Sequence, residues 1–127
     1  MNTNEKLILY EDLSYKIIGL AMEVHRKLGN GFLEKVYENA LLLLLRREGI
    51  GAQQQAPIKV YFEGEIVGEY FADILVDDKI ILELKTLKEI TDVQMAQALN
   101  YLKATALRLA IIINFGKRRL EYERIIN

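Results

Sequence analysis

Three charged side chains lie in strand-like, largely apolar stretches of the chain: Asp73 in YFADILV, and Glu83 and Lys85 in ILELKTL. Residues two apart on a strand share a face, so Glu83 and Lys85 project to the same side. Two carboxylates held together repel each other, and a hard divalent cation between them relieves that repulsion. The pattern therefore predicts a metal site at Asp73 and Glu83. The alternative is a surface strand with an ion pair on its wet side.

Length and composition limit the class of protein. The sequence has 127 residues, of which 51% are hydrophobic and 28% charged, so we expect one globular domain over 1–127. It contains no cysteine, which excludes disulfides, thiolate zinc sites and cysteine nucleophiles. The net charge of −1 argues against nonspecific phosphate attraction, although a carboxylate metal site itself contributes negative charge. No apolar segment follows Met1 and no apolar run could span a bilayer, so we expect a soluble, cytoplasmic protein without a membrane segment.

Hydrophobic periodicity predicts helices where the period is 3.6 residues and strands where it is two. The predicted elements are helices over 12–28 and 32–48, three strands between 53 and 85, a helix over 92–104, and strands over 107–115 and 120–126. Turn signals at Glu63-Gly64 and Asp77-Asp78 separate the first three strands, and Thr91 or Asp92 can cap the third helix. The order α-α-β-β-β-α-β-β predicts a single α/β domain with a mixed β-sheet. The continuously apolar strand 107–115 should be buried on both faces.

Two motifs carry a resemblance to a known family. Asp73, nine residues and then Glu83-Leu84-Lys85 resembles the D-(x)n-(D/E)-x-K signature of the PD-(D/E)xK nuclease superfamily, with Ala72 where a proline often stands. The stretch GFLEKVY, from Gly31 to Tyr37, is similar to the motif of the GxxExxY proteins, a group usually placed in that superfamily. The resemblance runs from about residue 25 to 124. It implies a restriction-endonuclease-like core, with a mixed sheet flanked by helices.

The resemblance also implies an activity, which is metal-dependent hydrolysis of phosphodiester bonds, in DNA rather than RNA. Asp73, Glu83 and the Leu84 carbonyl would hold Mg²⁺ or Mn²⁺, which polarises the phosphodiester and acidifies a bound water. Lys85 would position that water or help to deprotonate it. Glu34 would be a further metal or water ligand. Its alternative role is that of a helix-start glutamate stabilised by the helix dipole.

Other polar side chains are auxiliary candidates. Gln97 and Tyr101 resemble a Q-x-x-x-Y motif that exonuclease-type members place beside the metal, where the glutamine can bond a ligand carboxylate or the scissile phosphate. Gln94 lies on the same helix ridge, and His25 borders the apolar stripe of the first helix. The alternative for the two glutamines is a solvated helix flank, and the alternative for His25 is a packed, neutral histidine. Tyr37 is expected to pack in the core with its hydroxyl satisfied locally.

Two other functions are compatible with this sequence. One is a non-catalytic nucleic-acid- or protein-binding module on the same fold, and the other is a structural ion cluster in an interaction protein. The near-neutral charge and small size favour a binding module, whereas the intact set of Asp73, Glu83 and Lys85 favours an enzyme. A nuclease this small has little surface to hold a duplex, so we expect a homodimer or larger assembly. The apolar stretches 107–115 and 120–126 are its predicted interface.

Overall fold

The computed structural model describes residues 9–127; the polar opening after Met1 lies outside the described residues. The elements are α1 Glu11–Leu28, α2 Glu34–Arg47, β1 Ala52–Phe62, β2 Glu65–Val76, β3 Ile80–Lys85, α3 Asp92–Thr105, β4 Leu109–Asn114 and β5 Glu121–Ile126. Their order is the predicted one. No helix within residues 9–127 is both long and apolar enough to cross a membrane.

The five strands form one mixed sheet in the order β1-β2-β3-β4-β5. Neighbouring strands are antiparallel except for β3 and β4, which are parallel because the chain between them crosses over through α3. The predicted turns at Glu63-Gly64 and Asp77-Asp78 are confirmed, and all four of these residues have positive φ. The predicted cap of α3 is Thr91, whose hydroxyl accepts the N–H of Val93.

Helices cover both faces of the sheet, and each face has its own core. The cluster between the sheet and helices α1 and α2 includes Leu82 and Leu84 of β3, which point to that side. The cluster under α3 includes Ile81 of β3 and Ile112 of β4. Because side chains alternate along a strand, Glu83 projects with Ile81 toward the α3 face.

The apolar stripe of α2 differs from the predicted one. The 3.6-residue period over the predicted helix 32–48 puts Leu33 and Val36 on that stripe, but both are exposed, Leu33 to 81%. The helix begins at Glu34 instead of residue 32, so the two apolar residues before it lie in a loop. The buried residues of α2 are Tyr37, Glu38, Leu41, Leu42 and Leu45.

Tyr37 holds that loop in place. Its hydroxyl donates to the Gly29 carbonyl at 2.7 Å and accepts the N–H of Phe32 at 3.2 Å. Its ring stacks on Phe115 with centroids 4.6 Å apart. The expectation of a core tyrosine with a locally satisfied hydroxyl is confirmed, and the loop before Glu34 has a defined conformation as a result.

Strand β4 is buried over its whole length, as predicted. A strand without exposed residues cannot contact another subunit, so the predicted oligomer interface is wrong for this strand. Strand β5 forms the edge of the sheet beside β4 and exposes Tyr122 and Ile126. Of the two stretches in the predicted interface, only β5 can contact a partner.

Strands β2 and β3 diverge in the middle of the sheet. They pair only through residues 74–76 and 80–82, and beyond that point β2 continues with β1 as a two-stranded hairpin. Gln55 of β1 has a positive φ of 55° and lies opposite Asp73, an irregularity of the kind that bends a strand. We call the divergence between Asp73 and Glu83 the fork.

Candidate active site

The fork brings Asp73 and Glu83 together. Asp73 is the first residue of β2 beyond the last pair with β3, and Glu83 follows that pair on β3. Side chains replace the missing ladder hydrogen bonds, because the Leu84 N–H donates to Asp73 Oδ2 at 2.7 Å and the Asp73 N–H donates to Glu83 Oε2 at 3.3 Å. Each carboxylate thereby satisfies a backbone N–H group that the divergence leaves without a strand partner.

The surroundings of these two carboxyls disfavour negative charge. Glu83 is 6% exposed, and burial raises its pKa to about 8, with the negative charge of Asp73 as the second cause. Burial also raises the pKa of Asp73, although the Leu84 N–H opposes this. At neutral pH the pair therefore retains a proton unless a cation binds between the two groups.

Lys85 follows on β3, and its charge lowers the pKa of both carboxyls. It does so from a distance: the ion pairs within 4.0 Å in residues 9–127 include neither Lys85 nor the two acids. Since Glu83 is buried and has no such partner, the alternative of a surface ion pair is wrong. Lys85 is a separate, partly exposed positive charge beside the fork.

Glu34, the first residue of α2, reaches the end of β3. Its Oε2 accepts the N–H of Thr86 at 3.1 Å, and its charge raises the pKa of Asp73 and Glu83. In the part of the chain that the structure describes, no three His, Cys, Asp or Glu side chains are close enough to hold one metal ion. Glu34 therefore lies near Asp73 and Glu83, but the three carboxylates are not close enough together to form one metal-binding cluster.

Tyr101 and Gln97 approach the fork from α3. Tyr101 is buried, and burial and then the charge of Glu83 raise its pKa. The Gln97 amide donates to the Tyr101 hydroxyl at 3.0 Å. The two residues of the predicted Q-x-x-x-Y motif are thus bonded to each other, and Tyr101 is the one close to the acids.

Gln94 and His25 occupy other positions. The Gln94 side-chain oxygen accepts the N–H of Thr91 at 2.8 Å, completing the capping box that begins α3. His25 is buried at the end of α1, where Nε2 donates to the Lys117 carbonyl at 2.8 Å and the ring packs near Phe115. The packed histidine considered from the sequence is what the structure shows.

A buried glutamate on α2 was missing from the sequence-based candidates. Glu38 is 3% exposed, and its Oε2 accepts hydrogen bonds from Lys35 at 3.1 Å, Gln54 at 2.7 Å and Gln55 at 3.0 Å. Its charge also raises the pKa of Asp73. Its spacing of four residues from Glu34, which puts both on one face of the helix, is the signal that could have indicated it.

Asn114, at the end of β4, is a second residue that the sequence-based candidates did not include. It is fully buried, accepts the N–H of Leu87 at 2.8 Å and donates to the Leu87 carbonyl at 3.0 Å. These bonds fix the loop that leaves β3 just after Lys85. A polar residue within the apolar run IIINF was the available signal.

The residues at the fork fit a hard divalent cation. Half-buried Asp73 and buried Glu83 supply carboxylate oxygens with no cation within 4.0 Å among residues 9–127, and Leu84, next to Glu83 on β3, has a backbone carbonyl that could join them. Mg²⁺ takes such oxygen ligands and retains several waters, so a site with few protein ligands suits it.

A mixed sheet between helices on both faces, which opens into a fork with a buried glutamate, a half-buried aspartate and a nearby lysine, defines a restriction-endonuclease-like α/β domain. The sequence model of the PD-(D/E)XK nuclease superfamily matches residues 11–125, so this chain belongs to that superfamily. The predicted superfamily and fold class are confirmed.

One solved structure illustrates the shared fold. The crystal structure of SSO0001 is similar with a TM-score of 0.61 and 17% identity, over 74% of this chain and 50% of that chain. At this identity the likeness shows the fold alone, and the aligned region spans half of the length of that protein. A search of curated proteins finds no match.

Proposed function

We propose that this protein is a metal-dependent nuclease of the GxxExxY group that hydrolyses phosphodiester bonds, in DNA rather than RNA. The observation that carries the proposal is the pair formed by half-buried Asp73 and buried Glu83, which has no cation within ion-pair distance among residues 9–127. Buried acids with raised pKa values in a cleft are typical of functional sites. Because the chain belongs to a nuclease superfamily, phosphodiester hydrolysis is the reaction that we assign to this site.

In this proposal Asp73 and Glu83, with the Leu84 carbonyl, hold Mg²⁺ or Mn²⁺. The ion, when bound, polarises the phosphodiester and lowers the pKa of a bound water. Lys85 projects from the same strand face as Glu83, with no carboxylate within 4.0 Å in the described residues. Its ammonium group is therefore available to orient the attacking water and to offset the charge that develops on the phosphate.

Glu34 and Gln97 support this chemistry from the two helices. Glu34 has one oxygen on the Thr86 N–H and a second oxygen with which to anchor a metal-bound water. The Gln97 amide orients the Tyr101 hydroxyl, which lies near the acid pair. A hydroxyl held in this way can bond a non-bridging phosphate oxygen.

The test is a calorimetric titration with Mn²⁺ and Mg²⁺, followed by cleavage assays on single-stranded, duplex and branched DNA and on RNA. We expect metal binding, and Mn²⁺-dependent cleavage of at least one DNA. Glu83→Ala should abolish both, and Lys16→Ala, which removes a surface ion pair with Glu48 on the far side of the helices, is the matched control. Metal-independent nucleic-acid binding without cleavage would favour the binding module instead.

We also propose that the protein works as a homo-oligomer, with the β5 edge as the contact. This edge exposes Tyr122 and Ile126 and can extend the sheet by pairing with a second copy. Light scattering at micromolar concentration should give at least twice the mass of one chain, 14.7 kDa. A monomer mass with and without DNA would contradict it.

A further inference from the structure

Three arginines surround one depression at the end of the sheet where β3 and β4 terminate. Arg26 lies in the last turn of α1, and Arg118 and Arg119 lie in the turn between β4 and β5. All three side chains are exposed, and the ion pairs within 4.0 Å in residues 9–127 include none of them. Like charges that converge with no carboxylate within 4.0 Å among these residues repel each other, and a bound anion relieves that repulsion.

We propose that Arg26, Arg118 and Arg119 form a second phosphate-binding site, which holds the nucleic-acid backbone away from the scissile phosphate. We call these residues the arginine cluster. The proposal rests on the nuclease function proposed above and adds to it the direction in which the substrate leaves the fork. Guanidinium groups bind phosphate through paired hydrogen bonds, and such contacts fix the register of a nucleic acid without reading its sequence.

The turn that carries Arg118 and Arg119 is fixed against the strand that carries Lys85. The Phe115 N–H donates to the Lys85 carbonyl at 2.8 Å, and His25 Nε2 donates to the Lys117 carbonyl at 2.8 Å. Gly116 lies so close to the loop after β3 that a Cβ there would be 2.6 Å from the Leu87 nitrogen. The position of the arginine cluster relative to the fork is therefore set by backbone contacts.

The spacing between the two sites suits a nucleic-acid strand. Lys85 and Asn114 are paired across neighbouring strands, which places them ~4.8 Å apart. Arg118 follows four residues after Asn114, a path of at most ~14 Å. One strand of duplex DNA carries a phosphate for every ~3.4 Å of helix axis, so the backbone at Arg118 lies within about five phosphates of Lys85.

The other flank of the fork, on the β2 side in the strand order, is unfavourable for phosphate. There the β1–β2 hairpin carries Glu63, Glu65 and Glu69 against Lys59. The net charge of −1 therefore conceals an uneven distribution, with an acidic hairpin on one side of the fork and the arginine cluster on the other. A polyanion that reaches the fork is repelled by the hairpin and attracted toward the cluster.

The test compares two double variants that each remove two positive charges. Arg118→Gln/Arg119→Gln alters the arginine cluster, and Arg46→Gln/Arg47→Gln is the control, since it alters the end of α2, where Arg46 bonds the Ala52 carbonyl at the start of β1. Binding of labelled duplex and single-stranded oligonucleotides is measured in EDTA over a series of salt concentrations, so that the readout does not depend on cleavage.

We expect the cluster variant to bind roughly tenfold or more weakly at moderate salt, with the slope of log K against log salt reduced by ~2, because each lost phosphate contact removes ~0.9 from that slope on duplex DNA. The control should keep the wild-type slope. Arg26→Gln alone, with an expected reduction of ~1, tests the same site should the double variant fail to fold.

The outcomes separate this inference from the proposed function. If the wild type binds and cleaves nucleic acid but the cluster variant keeps the slope of the control, the arginine cluster is not a phosphate site and only this inference fails. If the wild type neither binds nor cleaves any oligonucleotide, the proposed function fails. Retention of poly-glutamate through these arginines, without nucleic-acid binding, would assign the cluster to an acidic protein and overturn the inference.

Discussion

Glu38 and Glu83 are both buried carboxyls, Glu83 beside the half-buried Asp73, and their surroundings differ. Glu38 is 3% exposed and accepts hydrogen bonds from a lysine and two glutamine side chains. Glu83 is 6% exposed and accepts one backbone N–H at 3.3 Å, with Asp73 as its anionic neighbour. Burial alone therefore does not identify a site. What distinguishes the fork is two neighbouring carboxyls with no protein cation within 4.0 Å among residues 9–127.

Glu38 and the fork therefore have different roles. The bonds from Glu38 to Gln54 and Gln55 tie α2 to β1 beside the irregularity opposite Asp73. Glu38 thus supports the bend that opens the fork, and its carboxylate accepts hydrogen bonds from side chains of the protein. At the fork itself, the hydrogen bonds to Asp73 and Glu83 within residues 9–127 come from backbone N–H groups. Their remaining oxygens are available to a cation.

The sharpest test of the fork is Lys85→Met, which keeps much of the side-chain volume and removes the charge. We expect cleavage to fall by about a hundredfold or more, the usual scale for one positioned charge or proton-transfer group. Mn²⁺ affinity should stay the same or rise, because a positive charge that competes with the ion is gone. Single-turnover cleavage and calorimetry measure the two effects. Cleavage at the wild-type rate would mean that Lys85 has no part in the chemistry.

Glu83→Gln and Glu38→Gln should change stability in opposite directions. The pKa of Glu83 is raised in the folded state, so its cost to stability is absent below pH ~4.5, grows as pH rises and is complete above about 8. Without metal, Glu83→Gln should therefore stabilise the protein by a few kcal/mol at pH 9 and have little effect at pH 4. Denaturant unfolding in EDTA at both pH values provides the measurement.

Glu38→Gln, by contrast, should destabilise the protein by ~2 kcal/mol at pH 7, because it removes the buried, charged acceptor of three partly buried hydrogen bonds. Metal affinity should change little in this variant. If both glutamine variants destabilised the protein equally at pH 9, the two regions would not differ in the way that their hydrogen bonds indicate.

Metal binding at the fork should depend on pH. The proton that the Asp73–Glu83 pair retains below about pH 8 must leave before a divalent ion binds. Mn²⁺ affinity should thus rise up to tenfold per pH unit between pH 6 and 8 and level off above. Titrations in buffers of different ionisation enthalpy count the protons released. An affinity that is constant from pH 6 to 9 would contradict a shared proton at the fork.

The smallest expected effect concerns Glu34, which lies between the two regions. If it anchors a metal-bound water, Glu34→Gln should lower Mn²⁺ affinity and cleavage severalfold and leave the fold stable. If it acts only as a helix-start glutamate, the change should cost ~0.5 kcal/mol of stability and leave metal affinity alone. Thermal melts with and without Mn²⁺ distinguish the two roles, and Glu11→Gln at the start of α1 is the matched control for the helix effect.

Local patterns in the sequence were sufficient for the order of elements and for the central acids. Alternation along ILELK placed Glu83 and Lys85 on one face, and the apolar run of β4 indicated burial on both faces, because side-chain direction on a strand is a property of neighbouring residues. The boundary of α2 was less accurate. The loop before Glu34 is held by the Tyr37 hydroxyl, a contact that periodicity does not contain.

By itself, the sequence determined which side chains are the candidates for the chemistry and which strands present them, since spacing along one strand fixes relative orientation. Only the tertiary structure decided which charges are neutralised. Glu38 meets Gln54 and Gln55 from β1, His25 meets the carbonyl of Lys117, and β2 leaves β3 just where Asp73 and Glu83 would pair. The partner of a charge is chosen by contacts between distant parts of the chain, and the energy of a buried charge depends on that partner.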